Sequence, residues 1–196
     1  MEIVHMDAKD EDAMNYAQFF DLESYLLNTV KERFQKDRCL SAFDFFCIVI
    51  WKSNRAKSKI AKKLLEKGYE TLDDAAKALT SGLAEQSSNK ERLRYLVEEW
   101  GLRLPMASAV LTILYPEDFT VYDARVCEAL NDFHNLDNIT PFDRMWSSYE
   151  DYLRAVKQNS PDGLTLREKD RYLWGRSFHG QLCQDISNGF RAKKPE

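Results

Sequence analysis

One aspartate, Asp123, stands out by its position relative to a segment of small and apolar residues. It lies in "TVYDARV" (Thr120 to Val126), 18 residues after Pro105 of "GLRLPMASAVL" (Gly101 to Leu111). Aspartate is a favoured N-cap, because its carboxylate accepts a hydrogen bond from the backbone of the first helical turn. The helix dipole also keeps such a carboxylate ionised. An ionised carboxylate can offset positive charge that develops in a transition state, or orient an attacking water. Asp123 is therefore a candidate catalytic residue and, as the alternative, a plain helix cap.

A second candidate feature is the run "KSNRAKSKIAKK" (Lys52 to Lys63), here called the basic segment. It holds six basic side chains and no acid. The whole chain has a net charge of −4, and Met1 to Glu23 carries seven acids against one lysine, so overall composition does not indicate a nucleic-acid partner. Such a segment is often no more than the solvated face of a helix. Because it lacks competing carboxylates, it also suits contacts to phosphate groups.

The elements that must position these residues are predicted to be helices. No run alternates apolar and polar residues for long, and no Asn-Gly or Asp-Gly pair joins two strand-like runs. A helix is predicted over residues 11–34 from its apolar spacing. Other helices are predicted to start at caps or capping boxes, namely at Ser41, Thr71, Ser88, Asp123, Thr140 (followed by Pro141 as first helical residue) and Thr165. The expected fold class is all-α, and 196 residues suit a single domain.

Cysteine and histidine usage gives no sign of a metal site. The four cysteines are widely scattered, and the three histidines share no ligand spacing with them, so we expect no metal and no cofactor. The pattern fits a reducing compartment, the cytoplasm or, in a eukaryote, the nucleus. No signal peptide is visible, and the longest apolar run, "FFCIVIW" (Phe45 to Trp51), is too short to span a bilayer. We expect no membrane association.

The order of these segments resembles the helix-hairpin-helix DNA glycosylase superfamily, the endonuclease III and 8-oxoguanine glycosylase group. In that family a hairpin of the form L-P-G-V-G-x-K-T-A leads into a helix, and a catalytic aspartate begins the next helix. "GLRLPMASAVL" is similar to the hairpin and its helix, and "TVYDARV" to the aspartate segment. Upstream, "FDFFCIVIWKSNRAKSKIAKKL" resembles the family's apolar helix, polar turn and basic helix, and "DRYLWGRSF" resembles its last helix. The resemblance covers roughly residues 40–180, a typical domain span.

The resemblance implies a two-lobed helical fold with a cleft between the lobes. Residues 1–196 would form a single glycosylase-like domain, in which the N- and C-terminal helices make one lobe and residues 55–130, approximately, make the other. The chain would bind double-stranded DNA as a monomer and hydrolyse the N-glycosidic bond of a flipped, modified base, with Asp123 as the catalytic carboxylate. The implied DNA contacts are Lys52, Asn54, Arg55, Lys57, Lys59, Gly101 and Arg103. Asn54 would fill the gap left by the extruded base or, as the alternative, is an ordinary turn residue.

Aromatic residues supply the candidates for a base pocket. Large aromatic side chains are most often core residues, and we expect this of Trp51, Trp100, Tyr122 and Trp174 as a group. Among them Tyr122 adjoins Asp123, so it is the one that we expect to stack on a base. Trp51, next to the basic segment, is the second candidate for this pocket.

The chain departs from the family pattern at two hairpin positions. Arg103 stands where the second hairpin glycine is found, and Pro105 stands in the place of the lysine. Proline has no amine for a Schiff base and no backbone N–H for a phosphate. The lysine-dependent strand cleavage is therefore lost at this position, and a monofunctional glycosylase is predicted. Two alternatives stay open, a catalytically inactive DNA-binding module and a helical protein-interaction domain whose basic segment meets an acidic partner.

Overall fold

The computed structural model describes residues 16–191, and every regular element among them is helical. The predicted all-α fold class is therefore confirmed. The chain divides into two compact units between Glu85 and Gln86. The assignment of the N- and C-terminal helices to one lobe stays a prediction. None of the helices in the described part of the chain has the length and apolar character that a bilayer crossing needs.

The first unit contains short helices followed by three longer ones. The α-helices are α1 (Leu22–Tyr25), α2 (Lys31–Asp37), α3 (Ala42–Ser53), α4 (Lys57–Leu65) and α5 (Leu72–Glu85). A π-helical turn, Leu26–Val30, joins α1 to α2, and 3-10 turns lie at Ala17–Phe19 and Asn54–Ala56.

Local capping explains where these helices begin. Ser41 accepts a hydrogen bond from the backbone of Asp44 at 3.2 Å, and Thr71 accepts one from Asp74 at 3.1 Å, so both predicted caps are confirmed. The predicted helix over 11–34 is wrong in its extent. Its first five residues lie outside the described part of the chain, and Asp21 interrupts the rest by capping Ser24 at 3.1 Å. An Asp side chain that bonds its own backbone favours a new helix start over a continuous helix.

Buried polar contacts hold α3 in place within the first unit. Asp44 on α3 is 3% exposed, accepts a hydrogen bond from the Tyr25 hydroxyl at 2.8 Å and forms an ion pair with Arg33 at 3.0 Å. The backbone N–H of Leu40, just before α3, donates to the buried Thr80 hydroxyl at 2.8 Å. These contacts leave no unpaired charge at Asp44, as burial of a carboxylate requires.

The second unit contains the remaining helices. They are α6 (Asn89–Arg94), α7 (Leu104–Leu114), α8 (Ala124–Leu130), α9 (Phe142–Gln158) and α10 (Leu166–Ser187), with a π-helical turn at Tyr95–Glu99 and a 3-10 turn at Leu136–Asn138. The caps predicted at Ser88 and Thr165 are confirmed, and Thr165 forms the full capping box with Glu168. The start of α9 is one residue later than predicted. Pro141, not Thr140, is its N-cap residue, and no side chain caps this end.

The core of the second unit surrounds α7. It also holds the non-helical segment, Thr120 to Tyr122, that leads to Asp123. Nearly every residue of α7 is buried. From α9, the fully buried Tyr149 and Tyr152 donate hydrogen bonds to the carbonyls of Thr120, at 2.5 Å, and Val121, at 2.8 Å. Because these carbonyls lie outside any helix, the two tyrosines satisfy acceptors that would otherwise be buried without a partner.

Candidate functional site

The turn between the π-helical segment and α7 has the local arrangement that the sequence predicts, two helical segments joined by a short glycine turn. Gly101 has φ of +63°, in the left-handed region that favours glycine. The N–H of Leu102 donates back to the Leu96 carbonyl at 2.9 Å and closes the turn. Arg103 is the extended N-cap residue of α7, and Pro105 lies in the first helical turn, where its missing N–H costs nothing.

Arg103 is exposed, but its guanidinium has protein partners. It forms an ion pair with Asp137 and donates a hydrogen bond to the Asn138 side chain at 3.0 Å. A phosphate at this position would compete with the Asp137 carboxylate. The phosphate contact of Arg103 stays a prediction, as does that of Gly101, which is exposed in the same turn.

Asp123 is the N-cap residue of α8, as predicted. Its backbone is extended, and its Oδ1 accepts a hydrogen bond from the N–H of Arg125 at 3.0 Å. The side chain is half-buried. Capping holds the carboxylate in one orientation without removing it from solvent, which is compatible with a catalytic role. That role stays a prediction.

A second carboxyl group, which the sequence analysis missed, lies in the surroundings of Asp123. Asp170 of α10 is 2% exposed and forms an ion pair with Arg167 of the same helix. Burial raises the pKa of Asp170 to about 6; Arg167 and the nearby Thr120 hydroxyl lower it, and the negative charge of Asp123 raises it further. The Thr120 hydroxyl is buried and makes no hydrogen bond of standard geometry to a described residue. No local sequence pattern marks Asp170, because its burial comes from the segment around Thr120.

A pair of aromatic rings in contact with Arg125 was also missed. Trp174 and Phe178 of α10 are 42% and 43% exposed, and their rings lie parallel, 12° apart, with centroids separated by 5.5 Å. The guanidinium of Arg125 lies 5.2 Å from the Trp174 centroid and 5.4 Å from that of Phe178. It also donates a hydrogen bond to Gln181 at 3.0 Å. The expectation that Trp174 is a core residue is wrong, because the face of α10 that carries it is not covered.

The two residues predicted for a base pocket, Tyr122 and Trp51, differ in their exposure to solvent. Tyr122 is 5% exposed, and its hydroxyl donates to the carbonyl of Phe133 at 2.7 Å. Its ring packs edge-on against Tyr152, and burial raises its pKa. This environment favours a packing role over base stacking. Trp51 is half-buried near the end of α3, and Trp100 is 6% exposed, as expected for a core residue.

The basic segment spans the end of α3 and most of α4. Ile60 and Leu64 are buried, which turns the basic side chains outward. Arg55, Lys57 and Lys59 are exposed, whereas Lys52 is half-buried. The exposed Asn54 accepts a hydrogen bond from Lys57 at 2.9 Å.

One ion pair of the basic segment lies at its end, where Lys62 pairs with Glu66 at 3.8 Å. No ion pair joins Arg55 or Lys59 to another residue that the structure describes. Both side chains are exposed to solvent.

No metal centre is found within residues 16–191, since no three His, Cys, Asp or Glu side chains there lie close enough to hold an ion. Comparison of the chain with protein-family models, curated proteins and solved structures found no match. The resemblance to the glycosylases rests on the sequence motifs alone.

Proposed function

We propose that this protein binds double-stranded DNA and hydrolyses the N-glycosidic bond of an extruded, modified base. The observation that carries the proposal is the Asp123 carboxylate, half-buried and oriented by the Arg125 N–H at the start of α8. It follows the glycine turn and helix α7 in the order that the glycosylase motifs require. The exposed aromatic rings that contact the Arg125 guanidinium offer a surface on which an unstacked base can lie.

In this mechanism the bond between the sugar C1′ and the base nitrogen breaks, and the base leaves with the bonding electron pair. The sugar becomes cationic, and the Asp123 carboxylate offsets that charge. Water then adds to C1′ and loses a proton, for which Asp123 is the available acceptor. No lysine is needed, which agrees with Pro105 in the hairpin.

The basic segment would supply the sequence-independent part of DNA binding. Phosphate contacts by Lys and Arg release condensed counterions and make binding salt-dependent. Arg55 and Lys59, exposed and outside any ion pair between described residues, support this role.

A comparison of Asp123→Asn with the wild type tests the proposal. Asparagine caps a helix about as well as aspartate, so the melting temperature should barely change. The amide carries no charge, so base release should fall at least ~100-fold, the scale of losing one stabilising group. DNA binding should persist or tighten slightly. Formation of abasic sites is measured on a panel of duplexes with different lesions.

Asp118→Asn is the matched control, because Asp118 is an exposed acid in the loop between α7 and α8. It should release base at the wild-type rate. Equal rates for the Asp123 variant and the wild type would reduce Asp123 to a helix cap.

The second candidate function is a DNA-binding module without catalysis. Arg103 and Pro105 favour it, since they stand where the catalytic family has its second hairpin glycine and its lysine. Salt-dependent duplex binding without base release from any lesion would establish this alternative. Absence of duplex binding would instead favour the protein-interaction domain.

A further inference from the structure

The Arg125 side chain occupies the position over the aromatic pair that a cationic ligand would take. Its guanidinium lies within 5.4 Å of both ring centroids, which is the range of a cation–π contact. Gln181 accepts one of its hydrogen bonds and so fixes its orientation. Trp174 and Phe178 nevertheless keep 42% and 43% of their surface exposed. The Arg125 guanidinium thus already places a positive charge at the two rings, and the rings are still accessible to a ligand.

This arrangement discriminates between kinds of base by charge. An aromatic face attracts a cation, but a guanidinium is permanently charged and repels a second cation at the same rings. A neutral base has no such repulsion and stacks on aromatic side chains, which is favourable for any base. A cationic N-alkylated base would have to displace Arg125 and break its hydrogen bond to Gln181.

Arg125 also connects the aromatic pair to the candidate catalytic group. Its backbone N–H donates to Asp123 at 3.0 Å, while its side chain lies over the rings of α10. A ligand that moved the Arg125 side chain would act on the helical turn that orients Asp123. Both features belong to the second unit and depend on the packing of α8 against α10.

We propose that Trp174, Phe178 and Arg125 form a stacking subsite for a neutral nucleobase and select against cationic, N-alkylated bases. The choice of a nucleobase as the ligand rests on the proposed function. The selection by charge rests on the geometry of Arg125.

The experiment measures the binding of adenosine and of 1-methyladenosine, whose ring is cationic at neutral pH, by quenching of tryptophan fluorescence in the full chain. The wild type should bind adenosine about five-fold more tightly, which corresponds to ~1 kcal/mol of cation–π energy. Arg125→Gln keeps the backbone N–H that donates to the Asp123 carboxylate but removes the cation. It should lose or reverse the preference for adenosine.

Two further variants test whether the fluorescence quenching comes from binding at the Trp174–Phe178 pair. Phe178→Leu should weaken the binding of both nucleosides. Tyr172→Ala is the matched control, since Tyr172 is an aromatic residue of α10 that is 44% exposed and outside the ring pair; it should leave binding unchanged. Melting curves confirm that each variant is folded.

Equal or tighter binding of 1-methyladenosine by the wild type overturns the proposal, and so does an unchanged preference in Arg125→Gln. Failure to bind either nucleoside also overturns it. Base release from lesion duplexes is scored separately. If base is released while the nucleoside preference is absent, the subsite fails and the proposed function stands. If the preference is present while no lesion is processed, the subsite stands and the glycosylase function fails.

Discussion

The buried carboxyl of Asp170 should make the stability of this protein fall as pH rises. Its pKa is raised from 3.8 to about 6, mainly because burial penalises the charged form. The folded state therefore holds a proton that the unfolded chain has already lost between these two pH values. Its stabilising contribution is complete below the unfolded pKa, declines as pH rises through the folded pKa and is absent above it. The difference between the two pKa values corresponds to ~3 kcal/mol of unfolding free energy.

Asp170→Asn tests this prediction, because the amide cannot ionise. Below about pH 4 the variant should be close to the wild type in stability, because the neutral amide resembles the protonated carboxyl of Asp170. The informative quantity is the pH dependence. From about pH 4 to pH 7 the free energy of unfolding of the wild type should carry a downward contribution of ~3 kcal/mol that the variant lacks.

Urea unfolding at several pH values measures both proteins. Asp143→Asn is the control, because Asp143 is an exposed acid paired with Lys90 and Arg94, and these partners lower its pKa. Its contribution has the opposite sign and is lost as pH falls. Identical pH profiles for the wild type and Asp170→Asn would refute the reasoning, and would mean that the Arg167 ion pair keeps Asp170 ionised in the folded protein.

Two predictions concern the DNA-binding surface and the hairpin. Replacing Lys57 and Lys59 together with Glu should weaken duplex binding and flatten its dependence on salt, because fewer counterions are released; an unchanged slope in a fluorescence-anisotropy titration would remove the basic segment from the binding face. Borohydride reduction in the presence of abasic DNA should trap no covalent adduct at Pro105, which has no amine. Peptide mapping of an adduct at another residue, Lys52 for instance, would show that a displaced lysine had taken over and would contradict the monofunctional assignment.

The sequence by itself determined the features of this protein that depend on neighbours in the chain. A cap needs only its own side chain and the next helical turn, so Ser41, Thr71, Ser88, Asp123 and Thr165 were all recognised in advance. Gly101 was predicted to lie in a turn before a helix. Its backbone has a positive φ, which favours glycine at this position. The outward face of the basic segment likewise follows from the helical spacing of Ile60 and Leu64.

The tertiary structure alone decided which side chains are covered. Tyr122 adjoins Asp123 in the chain, but contacts with Ser108, Phe133 and Tyr152 enclose it. Trp174 has the same apolar character as a core residue, yet the part of α10 that carries it remains open. Burial is set by residues distant in sequence, and no local pattern encodes which of two equally apolar rings is enclosed. The same reason explains Asp170, whose carboxyl differs from an ordinary surface acid only because other elements pack over it.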